Sequence, residues 1–173
     1  TWTPVAKIVD ALDEAFYATF RNVELCGKPL LLALDVSGSM DGSRIAGTSL
    51  TAREASAAMA LITVATEPDA EIIAFSAAAG GFGGMHGGGE SGITRVSLSP
   101  RMRLDQVIQR LSAIPMGGTD CALPMIWARR HKLRVAGFIT YTDSETWAGN
   151  LHPAQALRLY REEFIGDAKA VVV

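Results

Sequence analysis

Cysteine and histidine are scarce in this chain, with two and three copies among 173 residues. Cys26 and Cys121 allow at most one disulfide and fall outside any C-x-x-C or metal-ligand spacing, so reduced thiols in a cytoplasmic setting are expected. Net charge is nearly absent, at -2, which leaves no global field to draw in nucleic acid or an anionic membrane. No apolar run approaches the roughly 20 residues that span a bilayer. The N-terminal Thr1-Trp2-Thr3-Pro4 carries neither the basic nor the apolar region of a secretory leader. The Gly-Lys-Ser/Thr of a phosphate-binding loop and the G-x-S-x-G of a nucleophile elbow are also missing.

What remains is a chain that is 49% hydrophobic, enough to bury a full core in one domain without staples. Val5, Ile8, Val9, Leu12 and Phe16 recur at helical spacing and predict an amphipathic helix over 5–20. Pro29 to Leu34 reads as a fully buried strand. Thr51 and Glu54 form a capping box that opens a helix from Ala52 to Ala65, apolar nearly all round. Glu71–Phe75 reads as a strand, and Leu104, Val107, Ile108 and Leu111 mark a helix that Pro115 ends. A short helix is predicted after Asp120, with Pro124 in its first turn. Val135–Tyr141 reads as a strand, Pro153 opens another helix, and Ala168–Val173 begins a further strand. This alternation predicts an α/β fold, a doubly wound and mainly parallel sheet with helices on both faces. Because the chain stops inside an apolar strand, a C-terminally truncated domain is expected.

Five oxygen-bearing residues stand out against this frame. Asp35, Ser37 and Ser39 lie in D-V-S-G-S directly after the first strand, Thr119 lies in G-G-T-D, and Asp143 follows the Val135–Tyr141 strand. In open parallel sheets, ligands bind outside the carboxyl ends of the strands, where strand order reverses. Alternate residues of an extended segment point the same way, so Asp35, Ser37 and Ser39 are expected to face one point, with Gly38 permitting the turn. Gly117 and Gly118 are read as allowing close approach of the Thr119 loop.

No Cys or His accompanies these residues, and an all-oxygen set suits a hard divalent cation. Magnesium is expected, with manganese and calcium as alternatives. Two carboxylates and three neutral hydroxyls leave the ion electrophilic, so an open position would take a carboxylate from a partner. Asp120 and Glu145 are read as outer groups that orient the ligands or a water. Without the later Thr and Asp, D-x-S-x-S reads equally well as a turn that caps a helix.

D-x-S-x-S followed by a Thr and a T-D resembles the metal-ion-dependent adhesion site of von Willebrand factor A domains, from about Pro29 onward. Within that fold, I-P-M-G-G-T-D-C-A-L-P-M-I-W-A (114–128) and Y-T-D-S-E-T-W-A-G-N-L-H-P-A-Q-A-L-R-L-Y-R-E (141–162) resemble the Ro autoantigen, or TROVE, family. Residues 9–17 resemble the helix that joins the two domains of that family. The resemblance implies a linker helix over 1–28, a von Willebrand A-type domain over 29–173, and a non-catalytic, metal-dependent binding role. It also implies a ribonucleoprotein whose helical-repeat ring binds noncoding Y RNAs and the ends of misfolded RNAs in RNA quality control. The ring is absent from this sequence, so weak RNA binding is expected of the chain itself, and no membrane partner.

Other features favour plain readings. The basic run Arg129, Arg130, His131, Lys132, Arg134 reads as a solvated face rather than a phosphate contact. His152 reads as a helix-start residue, His86 as exposed in a glycine-rich insertion over 77–101, and Trp127 and Trp147 as core or rim. The rival from another class is a magnesium-dependent phosphoryl-transfer enzyme of the haloacid-dehalogenase type. That chemistry needs a second Asp two positions after the first, as general acid, and Ser37 holds the place.

Overall fold

The computed structural model describes residues 3–76, 92–143, 146 and 148–173. In chain order these form α1 (Ala6–Ala18), a 3-10 turn (Thr19–Asn22), β1 (Leu30–Asp35), α2 (Ser39–Gly42), α3 (Ala52–Thr66) and β2 (Ala70–Phe75). Then follow β3 (Ile93–Arg95), α4 (Leu104–Ser112), α5 (Leu123–Arg130), β4 (Gly137–Tyr141), α6 (Pro153–Glu163) and β5 (Lys169–Val172). Among the described residues the strands make one five-stranded sheet, ordered β3-β2-β1-β4-β5. Four strands run parallel, and β3 joins the β2 edge antiparallel.

The period-2 geometry of β1 divides its leucines between two cores. Leu31 and Ala33 join Ile73, Phe75 and Phe138 under α5 and α6, where Trp127, Met125, Ala156 and Tyr160 are buried. Leu32 and Leu34 join Ile72, Ala74 and Tyr141 on the other face, under Ala57, Ala60 and Leu61 of α3 and Val107 and Leu111 of α4. Burial on both faces explains why the strand reads as a continuous apolar run, each large side chain contributing about 1.5–3 kcal/mol. The predicted Thr51 capping box forms, and His152 adds a cap that was not predicted. Thr51 Oγ1 accepts from the Glu54 amide at 3.1 Å while Glu54 Oε2 accepts from the Thr51 amide at 2.8 Å. His152 Nδ1 accepts from the Ala154 amide at 3.2 Å, opening α6.

The segment expected to be a linker helix packs onto the second core. The Tyr17 hydroxyl donates to the Met102 carbonyl and accepts from the Leu104 amide, both at 3.0 Å, while Phe20 is buried. Val5, Ile8, Val9 and Leu12 of α1 stay exposed.

Three local expectations are corrected. The segment after Asp35 is not extended: Gly38 has φ -66° and ψ -27°, and Ser39 opens the one-turn α2. Gly38 therefore sits in ordinary helical space, and a Cβ there would meet Met116 Sδ at 3.9 Å, so no glycine is required for the turn. The strand read from Val135 begins at Gly137. The β3 strand was not foreseen, because three residues carry no usable periodicity. Of the glycine-rich insertion, 77–91 with His86 lies outside the described residues, as do Glu145 and Trp147.

Candidate functional site

Strand order reverses at β1, whose neighbours β2 and β4 lie on opposite sides. Asp35 ends β1 and Asp143 follows β4 by two residues, so both stand at the carboxyl rim of adjacent parallel strands. Asp35 is 1% exposed. Its Oδ1 accepts from the Ser37 amide at 2.7 Å, an Asx turn that swings the chain into α2. Its Oδ2 accepts from the Thr142 hydroxyl at 2.7 Å. The expected convergence of Ser37 and Ser39 is present, though a turn and not an extended segment produces it. Their hydroxyl oxygens lie 3.1 Å apart, with Ser37 buried and Ser39 exposed to solvent.

Asp143 is half-buried. Its Oδ2 accepts from the Ser43 hydroxyl at 3.1 Å, which ties the end of β4 to the residue after α2. Its Oδ1 is buried with no hydrogen-bond partner among the described residues. An ionised carboxylate oxygen removed from water and left without a donor is costly unless a cation or proton completes it. A cavity of about 250 Å³ lies beside it, lined in part by Met40, Ser43, Tyr141 and Thr142.

Thr119 is 1% exposed, and its carbonyl accepts from the Ala148 amide at 3.1 Å. Two contacts tie its loop to the same rim. The Cys121 amide donates to the Thr146 hydroxyl at 3.2 Å, and burial pushes the Cys121 thiol up against the opposing effect of the Thr146 and Thr142 side chains. Met116 meanwhile approaches Gly38. Asp120 turns inward: its Oδ1 accepts from the Ala122 amide at 3.0 Å at the start of α5, and burial pushes its carboxyl up. Gly149, at φ +90°, packs so closely against it that an added Cβ would lie 2.2 Å from Asp120 Oδ2.

Among the described residues no group of three or more His, Cys, Asp and Glu comes together. The chemistry at this rim is therefore two carboxylates with hydroxyls, a set suited to hard cations. The basic run lies elsewhere, over the last turn of α5 and the loop that leads to β4. Arg129 pairs with Glu163, Arg134 donates to the Phe164 carbonyl, and His131 rests against the Trp127 ring. The sequence reading missed Thr142 and Ser43, which hold the two carboxylates. Thr142 had a visible signal as the residue between the strand and Asp143. Ser43 had none, since only the helical turn of α2 carries it back to the rim.

A family model described as the Ro60 vWA domain matches residues 29–173. Two relatives share the name RNA-binding protein RO60. The one from Deinococcus radiodurans is 42% identical, aligned over 100% of this chain and 30% of its own length. The one from Caenorhabditis elegans is 39% identical, over 100% of this chain and 25% of its own. The crystal structure of the Deinococcus radiodurans RO (RSR) protein superposes with a TM-score of 0.80 at 41% identity, covering 99% of this chain and 32% of that one. The chain thus spans a third or less of the length of these relatives.

Proposed function

The chain belongs to the Ro60 vWA-domain family, and from that premise we propose that it is a metal-dependent docking module, not a catalyst. Asp35, Ser37, Ser39, Thr119 and Asp143 would hold a hard divalent cation, magnesium first, with manganese and calcium as alternatives. The observation that carries this reading is Asp143 Oδ1, a buried carboxylate oxygen with no hydrogen-bond partner among the described residues, on the strand-end rim that also carries Asp35 and the paired Ser37 and Ser39 hydroxyls. Asp35 already accepts two hydrogen bonds, so it reaches the ion through remaining lone pairs or a bound water. The bound ion would supply an electrophilic centre facing solvent. The partner we assign to it is a protein or other ligand that presents a carboxylate.

Calorimetric titration with magnesium and manganese tests the site. Saturable binding by the wild type, lost in Asp143→Ala, is expected; equal binding by both would remove the metal reading. Capture of a carboxylate-bearing partner should cease in chelator and return with magnesium.

The two relatives carry RNA binding in their names. We assign noncoding, Y-type RNA and a part in RNA quality control to the longer protein, with a cytoplasmic location. The domain's own share would be weak, because a net charge of -2 offers little phosphate neutralisation.

A further inference from the structure

We propose that Arg53 is the positioning residue of the D-x-S-x-S turn, an inference that rests on the metal reading above. Arg53 lies in the first turn of α3 and is 2% exposed. Both facts count against it: burial strips the guanidinium of water, and a cation at a helix N-terminus opposes the helix dipole. What holds it is the turn that follows β1. Its Nη2 donates to the Ser37 carbonyl at 3.2 Å, and its Nε pairs with Asp41 Oδ1. Its Nη1 is buried with no hydrogen-bond partner among the described residues.

Ser37 and Asp41 flank Ser39, so the planar fork spans the turn that aims both serine hydroxyls. The Ser37–Ser39 oxygen separation of 3.1 Å depends on this turn keeping its pitch. The Arg53 side chain accepts nothing and so is no ligand; it acts through the backbone that carries the ligands. A lysine cannot grip two acceptors in this planar geometry. Asp41 is half exposed, so replacing it disturbs the turn without opening the core.

The test compares Asp41→Asn, Arg53→Lys and the double variant. Each single variant should lower magnesium affinity about tenfold, as outer groups at metal sites do, and the double should lose little more. Amide hydrogen exchange across 36–43 of the metal-free protein should quicken in all three while β1 and β4 stay protected. Unchanged exchange in both single variants would overturn the clamp whatever the metal does. Faster exchange with unchanged magnesium affinity would overturn the positioning role. A wild type that takes no magnesium would sink the metal reading instead, and exchange would still decide whether Arg53 fixes the turn.

Discussion

The Thr142 hydroxyl donates a 2.7 Å hydrogen bond to Asp35 Oδ2, which locks the ends of β1 and β4 together across 107 positions of sequence. Thr142→Val keeps the shape and removes the donor. Chemical denaturation should show a loss of about 1–3 kcal/mol, the cost of leaving a buried carboxylate oxygen short of a partner. Unaltered stability would mean that the bond contributes nothing net.

Graded losses are expected from the proposed ligand set. Asp35→Ala removes a charge and the acceptor of two hydrogen bonds, so divalent binding should vanish. Ser37→Ala, Ser39→Ala and Thr119→Ala each remove a neutral oxygen and should weaken binding without abolishing it. Calorimetry with circular dichroism as a fold control separates the two classes. An Asp35→Ala protein with wild-type affinity would end the assignment.

Gly149→Ala should disturb the Thr119 loop from outside the site. The new Cβ meets the Asp120 carboxylate at a backbone angle that L-residues rarely adopt. A destabilisation of more than about 1 kcal/mol is expected, with weaker magnesium binding alongside it. A well-folded variant with an unchanged melting temperature would show that the Asp120 loop yields freely.

Acid should expose a second carboxylate far from the rim. Glu67 Oε1 accepts from the Cys26 amide at 2.6 Å and Oε2 from the Gly27 amide at 3.1 Å. The Cys26 amide above all, then the Cys26 thiol and the Gly27 amide, hold the Glu67 carboxyl below its ordinary range, against the opposing effect of burial. A depressed folded-state value means stability that is present above the unfolded value of 4.5 and lost as pH falls through the folded one. Glu67→Gln should therefore cost about 1 kcal/mol at neutral pH, and the gap to wild type should close in acid. A gap independent of pH would point to packing instead.

Weak and strongly salt-dependent binding is expected for Y-type RNA and the isolated chain, since non-specific contact is largely phosphate neutralisation with counterion release. Gel-shift titrations across a salt series would measure it. Tight, sequence-specific binding at physiological salt would make the run from Arg129 to Arg134 a true RNA site.

The parallel order and the rim position of Asp35 and Asp143 were legible because β1 and β4 are buried on both faces and so read as short apolar runs. Helix starts were legible wherever a side chain performs the cap, as Thr51 and His152 do. The turn after Asp35 was not: an extended chain and an Asx turn into α2 both bring Ser37 and Ser39 together, and pattern alone does not separate them. Arg53 was hidden for another reason. A charged residue in the first turn of a helix reads as solvent-facing, and only the tertiary placement of the Ser37 carbonyl and Asp41 draws it inward. Ser43 likewise acquires its role from a partner 100 positions away.

One flank of the sheet carries a consequence of its own. β5 is hydrogen-bonded to β4 along one side, and all four of its residues are exposed, Val171 and Val172 among them. Among the described residues no strand pairs the other side of β5, and amide and carbonyl groups on such an apolar border are a template for an extended chain. An extended segment that met this border would pair with it as a further strand, at a place on the sheet separate from the Asp35 rim.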